Sequence, residues 1–146
     1  MENVNPSINN KKKIKLDFKN SKYATGRRKR SIAKVWIKKG SGNIHVNGLK
    51  MNEYFKRPVH QIIVTRPLEI SEVATNYDVK CSVKGGGLSG QAGAIILGIS
   101  KALIAHDENL KKSLKKDKLT TRDSRVVERK KYGHRKARRS FQFSKR

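Results

Sequence analysis

The chain has 146 residues, of which 36 are lysine or arginine and 11 are aspartate or glutamate, so its formal net charge is +25. This length allows one domain with a modest core, and so large a charge excess repels itself in the folded state unless a polyanion neutralises it. A single cysteine, Cys81, excludes an internal disulfide and fits a reducing compartment.

Most of the positive charge lies at the two ends of the chain. Residues 1–30 carry ten basic and two acidic side chains, and residues 122–146 carry eleven and two. Charge-dense ends without apolar periodicity do not fold alone. The sequence therefore predicts an N-terminal extension at 1–22 that is disordered or ordered by a partner, a globular domain at 23–128 and an extended basic tail at 129–146.

The first predicted strand covers residues 31–39, where apolar and polar side chains alternate. A Gly-Ser-Gly break at 40–42 and a second short run at 43–46 predict a hairpin. The basic residues 27–30 come directly before the first strand, so a rigid sheet would position their side chains.

In the middle of the domain, the positions of the prolines predict short helices, and a second alternating run predicts a strand. Residues 51–55 are typical of a short helical turn. Pro58 and Pro67 suit the first positions of two further short helices, because proline there loses no needed N–H bond. Alternation over residues 77–84 predicts another strand, with Cys81 as a small core residue.

Apolar residues recur at helical spacing over residues 90–106, and small residues such as Gly98 should let this helix lie close to a sheet. Leu110 and Leu114 belong to a predicted lysine-rich helix, and residues 123–127 suit a last short strand. These elements predict a two-layer α/β domain in which helices cover a small mixed sheet.

Residues 84–91 (KGGGLSGQ) satisfy the pattern G-x-G-x-x-G between a predicted strand and a helix, as a dinucleotide-binding fold requires. However, Asp107 and Glu108 lie in a helical stretch, and no further βαβ units follow. The sequence therefore argues against a cofactor. Backbone N–H groups at such a turn bind any phosphate, including that of RNA, and the plain structural alternative is a tight turn with Ser89 as the helix N-cap.

The sequence contains no arrangement typical of catalysis. Its four histidines are scattered, no Cys/His cluster has metal-binding spacing, and no serine has a nucleophile-elbow context. No apolar run approaches the length of a membrane-spanning helix, since glycines, a serine and Lys101 interrupt the best stretch, residues 92–105. We therefore expect no enzyme, no metal, no membrane partner and no small-molecule substrate.

The tail alternates cations with the aromatic residues Tyr132, Phe141 and Phe143. This composition suits single strands and loops of RNA, where charge follows the phosphates and rings stack on bases. By itself it fits a DNA-binding tail equally well.

Five motifs occur in the order found in one family: residues 23–29 (YATGRRK), 84–94 (KGGGLSGQAGA), 121–125 (TRDSR), 128–133 (ERKKYG) and 136–146 (KARRSFQFSKR). Over residues 23–146 the chain strongly resembles the ninth protein of the small ribosomal subunit, in its bacterial or organellar form. Its first 22 residues exceed the short N-terminus of bacterial members.

The resemblance implies a structural constituent of the ribosome, in the bacterial cytoplasm or alternatively the mitochondrial matrix. The fold should resemble the second domain of the fifth small-subunit protein, with a left-handed βαβ crossover where general expectation favours a right-handed one. Implied partners are ribosomal RNA of the subunit head, neighbouring head proteins and the peptidyl-site transfer RNA, which Lys145 and Arg146 would approach. The runner-up is a free nucleic-acid-binding protein of a nucleoid or another ribonucleoprotein.

The predicted ribosomal RNA contacts lie in the basic run before the first strand, in the glycine-rich segment and in the tail. They are Arg27, Arg28, Lys29, Arg30, Lys84, Gly85, Gly86, Gly87, Ser89, Gly90, Gln91, Arg122, Arg125, Arg129, Lys130, Lys131, Arg135, Lys136, Arg138 and Arg139.

Overall fold

The computed structural model describes residues 18–144 of the chain, so most of the predicted extension at 1–22 lies outside the described residues. The strands of its sheet are β1 (Lys22–Arg28), β2 (Ser31–Lys39), β3 (Ile44–Val46), β4 (Leu49–Lys50) and β5 (Tyr77–Lys84). Its helices are α1 (Met51–Tyr54), α2 (Pro58–Ile70), α3 (Leu88–His106) and α4 (Lys111–Lys116), and the 3₁₀ turn Glu108–Leu110 precedes α4.

The sheet is mixed, with the strand order β1-β2-β5-β3-β4. β2 pairs antiparallel with β1 and β5, whereas β3 lies parallel to β5 and antiparallel to β4. The connection between the parallel strands β3 and β5 contains α2. The predicted class, a small mixed sheet covered by helices, is confirmed, and the left-handed sense of the crossover stays a prediction.

The predicted hairpin between residues 31–39 and 43–46 is wrong, because β5 lies between these two strands and pairs with both. The loop between them is held by the carboxylate of Asp78, which accepts the backbone N–H of Ser41 at 3.0 Å and of Asn43 at 2.8 Å. A glycine-containing break permits either arrangement, and the choice depends on a strand that is distant in sequence.

The side-chain pattern of residues 22–28 does not predict a strand, although β1 pairs with β2 along its whole length. Its inward positions hold Ala24 and Gly26 rather than large apolar residues, so the usual alternation signal is weak. The small residues are required because α3 lies directly against this edge of the sheet. A Cβ added at Gly26 would overlap the carbonyl oxygen of Ala94 and lie 2.6 Å from the backbone nitrogen of Gly98. The expected close approach of helix and sheet is confirmed.

Pro58 opens α2 as predicted, but a separate helix beginning at Pro67 is wrong, because α2 continues through Pro67 to Ile70. Proline inside a helix removes one backbone hydrogen bond. Pro67 is nevertheless buried together with Val64 and Leu68, so tertiary packing holds the last turn in helical form.

The predicted strand at residues 123–127 is also wrong, since residues 121–144 contain neither helix nor strand. The backbone N–H of Arg125 is taken by the side chain of Asp123 at 2.9 Å and so is not available to a strand partner. The lysine-rich helix is confirmed as α4, which buries Leu114, whereas Leu110 lies in the 3₁₀ turn before this helix.

The core lies between the inner face of the sheet and α3. Alternate residues of β2 and β5, including Val35, Ile37 and Cys81, are buried against Ile95 and Ile99 of the helix. Burial raises the pKa of the Cys81 thiol, and the predicted core role of this residue is confirmed.

By length and hydropathy alone, α3 could cross a membrane, since its mean hydropathy reaches 1.5. The expectation that no stretch approaches the length of a membrane-spanning helix is therefore wrong by mean hydropathy. The apolar residues of α3 outweigh its glycines and Lys101 in that average. More than half of this window is buried inside the protein, as in the core helix of a folded domain.

Candidate nucleic-acid interface

Three of the sequence motifs meet at one groove of about 500 Å³, although they are far apart in the chain. One wall is the turn between β1 and β2, the second is the glycine-rich start of α3, and the third is the segment 126–129, where the domain meets the tail. The lining residues are Lys29, Arg30, Ser31, Gly86, Gly87, Ser89, Gly90, Val126, Val127, Glu128 and Arg129.

The four cations of the basic run separate into different environments. Arg27 points outward from β1 and is exposed, whereas Arg28 points inward and is half-buried. Lys29 and Arg30 form the exposed turn that borders the groove, and Lys29 has a positive φ of 51°. Because side chains alternate between the two faces of a strand, these four consecutive cations lie on three surfaces: the outer face of the sheet, its inner face and the β1–β2 turn.

The glycine-rich loop is held tightly against the β1–β2 turn. Gly85 and Gly86 have φ values of 75° and 61°, which favour glycine. The hydroxyl of Ser31 donates to the carbonyl oxygen of Gly85 at 3.0 Å, and a Cβ added at Gly86 would overlap that hydroxyl. These two glycines are needed by the fold itself.

Gln91 is engaged within the protein, although the sequence pattern assigns it to RNA. Its amide group donates to the carbonyl oxygen of Gly85 at 3.2 Å, and its side-chain oxygen accepts from the Tyr54 hydroxyl at 2.7 Å. Asn47 closes the same corner by accepting from the backbone N–H of Val83 at 2.8 Å. Sequence reasoning missed the loop-positioning roles of Asn47 and Tyr54, for which the Asn-Gly turn at Asn47 was the one available signal.

The N-cap of α3 is Gly87, so the assignment of this role to Ser89 is wrong. Ser89 lies inside the first turn, and no side chain caps the helix. The first helical turn begins where Gln91 donates its backbone N–H to the Gly87 carbonyl at 2.9 Å. Uncapped N–H groups and the helix dipole make this end attractive to anions. A Cβ at Gly87 would meet no atom within 4 Å, so this face of the loop is open.

An ion-pair network holds the segment just before the tail, residues 123–125, against β1. Arg28 contacts the Asp123 carboxylate at 3.1 Å and donates to the carbonyl oxygen of Arg125 at 2.8 Å. Arg125 also pairs with this carboxylate, and 2.7 Å separates a terminal guanidinium nitrogen of Arg125 from the Asp123 oxygen. Hydrogen bonds from the Arg125 side chain and backbone lower the pKa of Asp123, and the charge of Arg28 adds to this effect. Residues 126–129 are thereby directed along the groove.

Beyond the groove, the described part of the tail bends back on itself. Glu128 pairs with Arg138 at 2.9 Å and with Lys131 at 3.5 Å. The guanidinium of Arg135 lies 5.4 Å from the centre of the Phe141 ring. Tyr132 is fully exposed, so rings and cations are presented together to solvent.

The remaining predicted contacts are exposed: Lys84, Arg122, Lys130, Lys136 and Arg139. Lys145 and Arg146 lie outside the described residues. Within residues 18–144, no cluster of three or more His, Cys, Asp or Glu side chains could hold a metal ion. The described sheet has one parallel pair of strands, β3 and β5, which is not the doubly wound sheet of a dinucleotide fold.

The described residues form a mixed α+β domain with a groove bordered by cations and an irregular cationic arm, which are features of a protein that binds a polyanion such as RNA. The chain belongs to the Ribosomal protein S9/S16 family, whose model matches residues 26–146. This match includes four of the five sequence motifs in full and the end of the first. The chain is therefore a structural ribosomal protein that binds ribosomal RNA, with ribosomal RNA and other ribosomal proteins as its partners in the ribosome. Proteins of this family are generally not enzymes.

Proposed function

We propose that this chain is the ninth protein of the small ribosomal subunit, of the bacterial or organellar type, and that it binds RNA of the subunit head. The observation that carries this proposal is the meeting of three motifs at one groove, beside the uncapped start of α3. The border of this groove suits the phosphate backbone of folded RNA, because the helix N–H groups and the bordering cations both attract phosphate, while Val126 and Val127 supply an apolar wall.

The proposed binding is mainly electrostatic. Lys29, Arg30 and Arg129 border the groove and are exposed, so each can pair with a phosphate oxygen. Every such contact releases counterions, so affinity should fall steeply with salt. Arg28 and Gln91 are engaged within the protein, and we assign them to positioning the tail and the glycine-rich loop.

The exposed cations of the tail would then neutralise phosphates where RNA elements crowd together. We further propose that the chain end, Lys145 and Arg146, contacts the transfer RNA in the peptidyl site. A cationic arm can extend beyond the domain that carries it, and an arginine guanidinium matches phosphate geometry. Neighbouring head proteins are the expected protein partners. The proposed location is the bacterial cytoplasm, with the mitochondrial matrix as the alternative.

Removing Arg146 tests the transfer RNA contact. Small subunits carrying a chain that ends at Lys145 should assemble normally but release peptidyl-site transfer RNA faster, with about 1.5–3 kcal/mol lost for one charged hydrogen bond. The matched control is Arg139→Ala, which removes one exposed tail cation and should leave this release rate unchanged. Equal dissociation rates for wild-type and truncated chains at two salt concentrations would contradict the contact.

Co-sedimentation separates the proposed function from its runner-up, a free nucleic-acid-binding protein of a nucleoid. The chain should remain with small subunits through a high-salt gradient, because many simultaneous contacts hold it in folded RNA. Release from the subunits together with recovery on DNA would favour the runner-up.

A further inference from the structure

The face of the sheet opposite α3 carries aromatic and apolar side chains that no described helix buries. Tyr23 on β1 and Ile32 on β2 keep 48% and 44% of their surface exposed, and Trp36 is half-buried. An antiparallel sheet with one solvated face usually presents polar residues there. A tyrosine, a tryptophan and an isoleucine on one open face therefore point to a ligand that covers them.

The strand register brings these residues into neighbouring rows. Tyr23 lies opposite Trp36, which lies opposite Lys80 on β5. The Tyr23 and Trp36 ring centres are 5.3 Å apart. The Lys80 ammonium is 5.9 Å from the Trp36 ring and 5.7 Å from the ring of Phe18, so this residue before β1 also lies at this face. One row further along, Lys34 lies opposite Ser82.

A shallow cavity of about 330 Å³ lies over the paired strands β2 and β5, beside the Trp36 ring. Trp36 bounds it together with Ile32, Lys34, Ser82 and Lys84. The cavity therefore combines an apolar floor, one large ring and two cations, without an acidic lining residue.

The charge of this face selects the ligand. Arg27, Lys34 and Lys84 are exposed on it. Asp78 is the acidic residue at this face of β5, but its carboxylate already accepts N–H bonds from the β2–β3 loop. Burial raises the pKa of Asp78, but these hydrogen bonds outweigh it and lower the pKa. Rings flanked by cations on a sheet match unpaired nucleotides, whose bases stack on the rings while the phosphates meet the cations. An acidic protein segment would use the cations but not the rings.

We propose that the open sheet face around Trp36 is a second RNA interface that stacks unpaired bases. This inference rests on the chain's RNA binding and adds to the phosphate groove a site that recognises bases rather than backbone. The two surfaces lie on different sides of the β1–β2 pair, so one RNA segment could pack in the groove while a loop of RNA covers the sheet.

The sole tryptophan of the chain is Trp36, so tryptophan fluorescence reports on this face alone. The probes are a short single-stranded oligoadenylate and an abasic ribose-phosphate strand of equal length, added to the full-length chain. Oligoadenylate should quench the fluorescence saturably, whereas the abasic strand should bind through its phosphates without quenching. Quenching by both strands to the same extent would contradict base stacking.

The affinity of labelled strands gives the second measurement. Trp36→Ala should weaken oligoadenylate binding by roughly 5- to 150-fold, the range for one stacked base, and leave the abasic strand unaffected. Trp36→Phe should retain most of the affinity. Ile62→Ala is the matched control, because Ile62 is 62% exposed on α2. If Trp36→Ala does not fold, Tyr23→Ala carries the same comparison at the sheet edge.

The outcomes separate this inference from the proposed function. Equal binding of oligoadenylate by wild-type and Trp36→Ala chains would overturn the stacking site and leave the groove intact. Failure of both strands to bind the wild-type chain would contradict RNA binding as well. A wild-type dimer that Trp36→Ala converts to a monomer would assign the face to a second copy and overturn the proposal.

Discussion

Gly86 and Gly87 are adjacent in the sequence but serve different purposes. Gly86 has a positive φ of 61°, and a Cβ there would overlap the Ser31 hydroxyl. Gly87 has an ordinary φ of −109°, and a Cβ there would meet no atom. One position therefore serves the fold, whereas the other leaves the groove open to a ligand.

Gly87→Val should fold with a stability within about 1 kcal/mol of wild type, since the N-cap of α3 already lacks a side-chain bond. It should weaken binding to ribosomal RNA, because the side chain blocks close approach of phosphate to the helix start. Gly86→Ala should instead lower thermal stability, by about 1–2 kcal/mol from the left-handed conformation alone. Unfolding and RNA titrations on both variants check this. Wild-type RNA affinity for Gly87→Val would show that the groove does not hold phosphate.

Arg28 looks like an RNA contact in the sequence but holds the tail in the structure. Arg28→Ala and Asp123→Asn should both free residues 123–129, seen as faster hydrogen exchange and proteolysis there, while the global stability of the domain changes little, because exposed ion pairs contribute little to it. The control Arg122→Ala removes an exposed cation and should change the salt slope of RNA binding by about 0.7–0.9 without freeing the tail.

The pH dependence of this network follows from the lowered pKa of Asp123. A lowered pKa in the folded state means that the interaction is complete above the ordinary aspartate value of about 3.9 and is lost only as pH falls through the lower, folded value. Protection of residues 123–129 should therefore persist throughout the neutral range. Loss of protection near neutral pH would contradict the assigned role of Asp123.

α3 lies close to β1, and this contact depends on backbone meeting backbone at Gly26. Gly26→Ala should destabilise the domain by about 1–3 kcal/mol or more, because the new Cβ meets the Ala94 carbonyl rather than a flexible side chain. Thr25→Ala, on the exposed face of the same strand, should change stability by no more than about 0.5 kcal/mol. Denaturant unfolding of the two variants makes the comparison, and similar midpoints would show that α3 can move away from the sheet.

Local patterns predicted the elements whose side chains alternate or recur around a buried face. β2, β5 and α3 are of this kind, since their burial follows the sequence period. β1 was not predicted from its pattern, because its inward positions must be small to let α3 pack closely, whereas a strand is recognised by large apolar residues at such positions. The continuation of α2 through Pro67 and the insertion of β5 beside β2 depend on tertiary contacts, which no local window contains.

At the scale of the whole molecule, the sequence shows which segments are basic or phosphate-binding but not how these segments are arranged in space. The basic run, the glycine-rich loop and the tail were each recognisable as phosphate-binding segments. Their meeting at one groove follows from the β1–β2 turn, the end of β5 and the Arg28–Asp123 pair together. The internal engagement of Gln91 could not be predicted either, because its partner Tyr54 is 37 residues away.

The most direct test of the claim that this chain binds folded RNA of the small subunit is its selectivity between RNA and DNA. The full-length chain should be titrated with head RNA of the small subunit and with duplex DNA of equal length, at two salt concentrations. Nonspecific phosphate binding weakens with salt on both polymers, so a folded RNA site should retain the tighter binding when salt is raised. We expect RNA to remain bound at the higher salt concentration after DNA has dissociated. Equal affinities for RNA and DNA at both concentrations would contradict it.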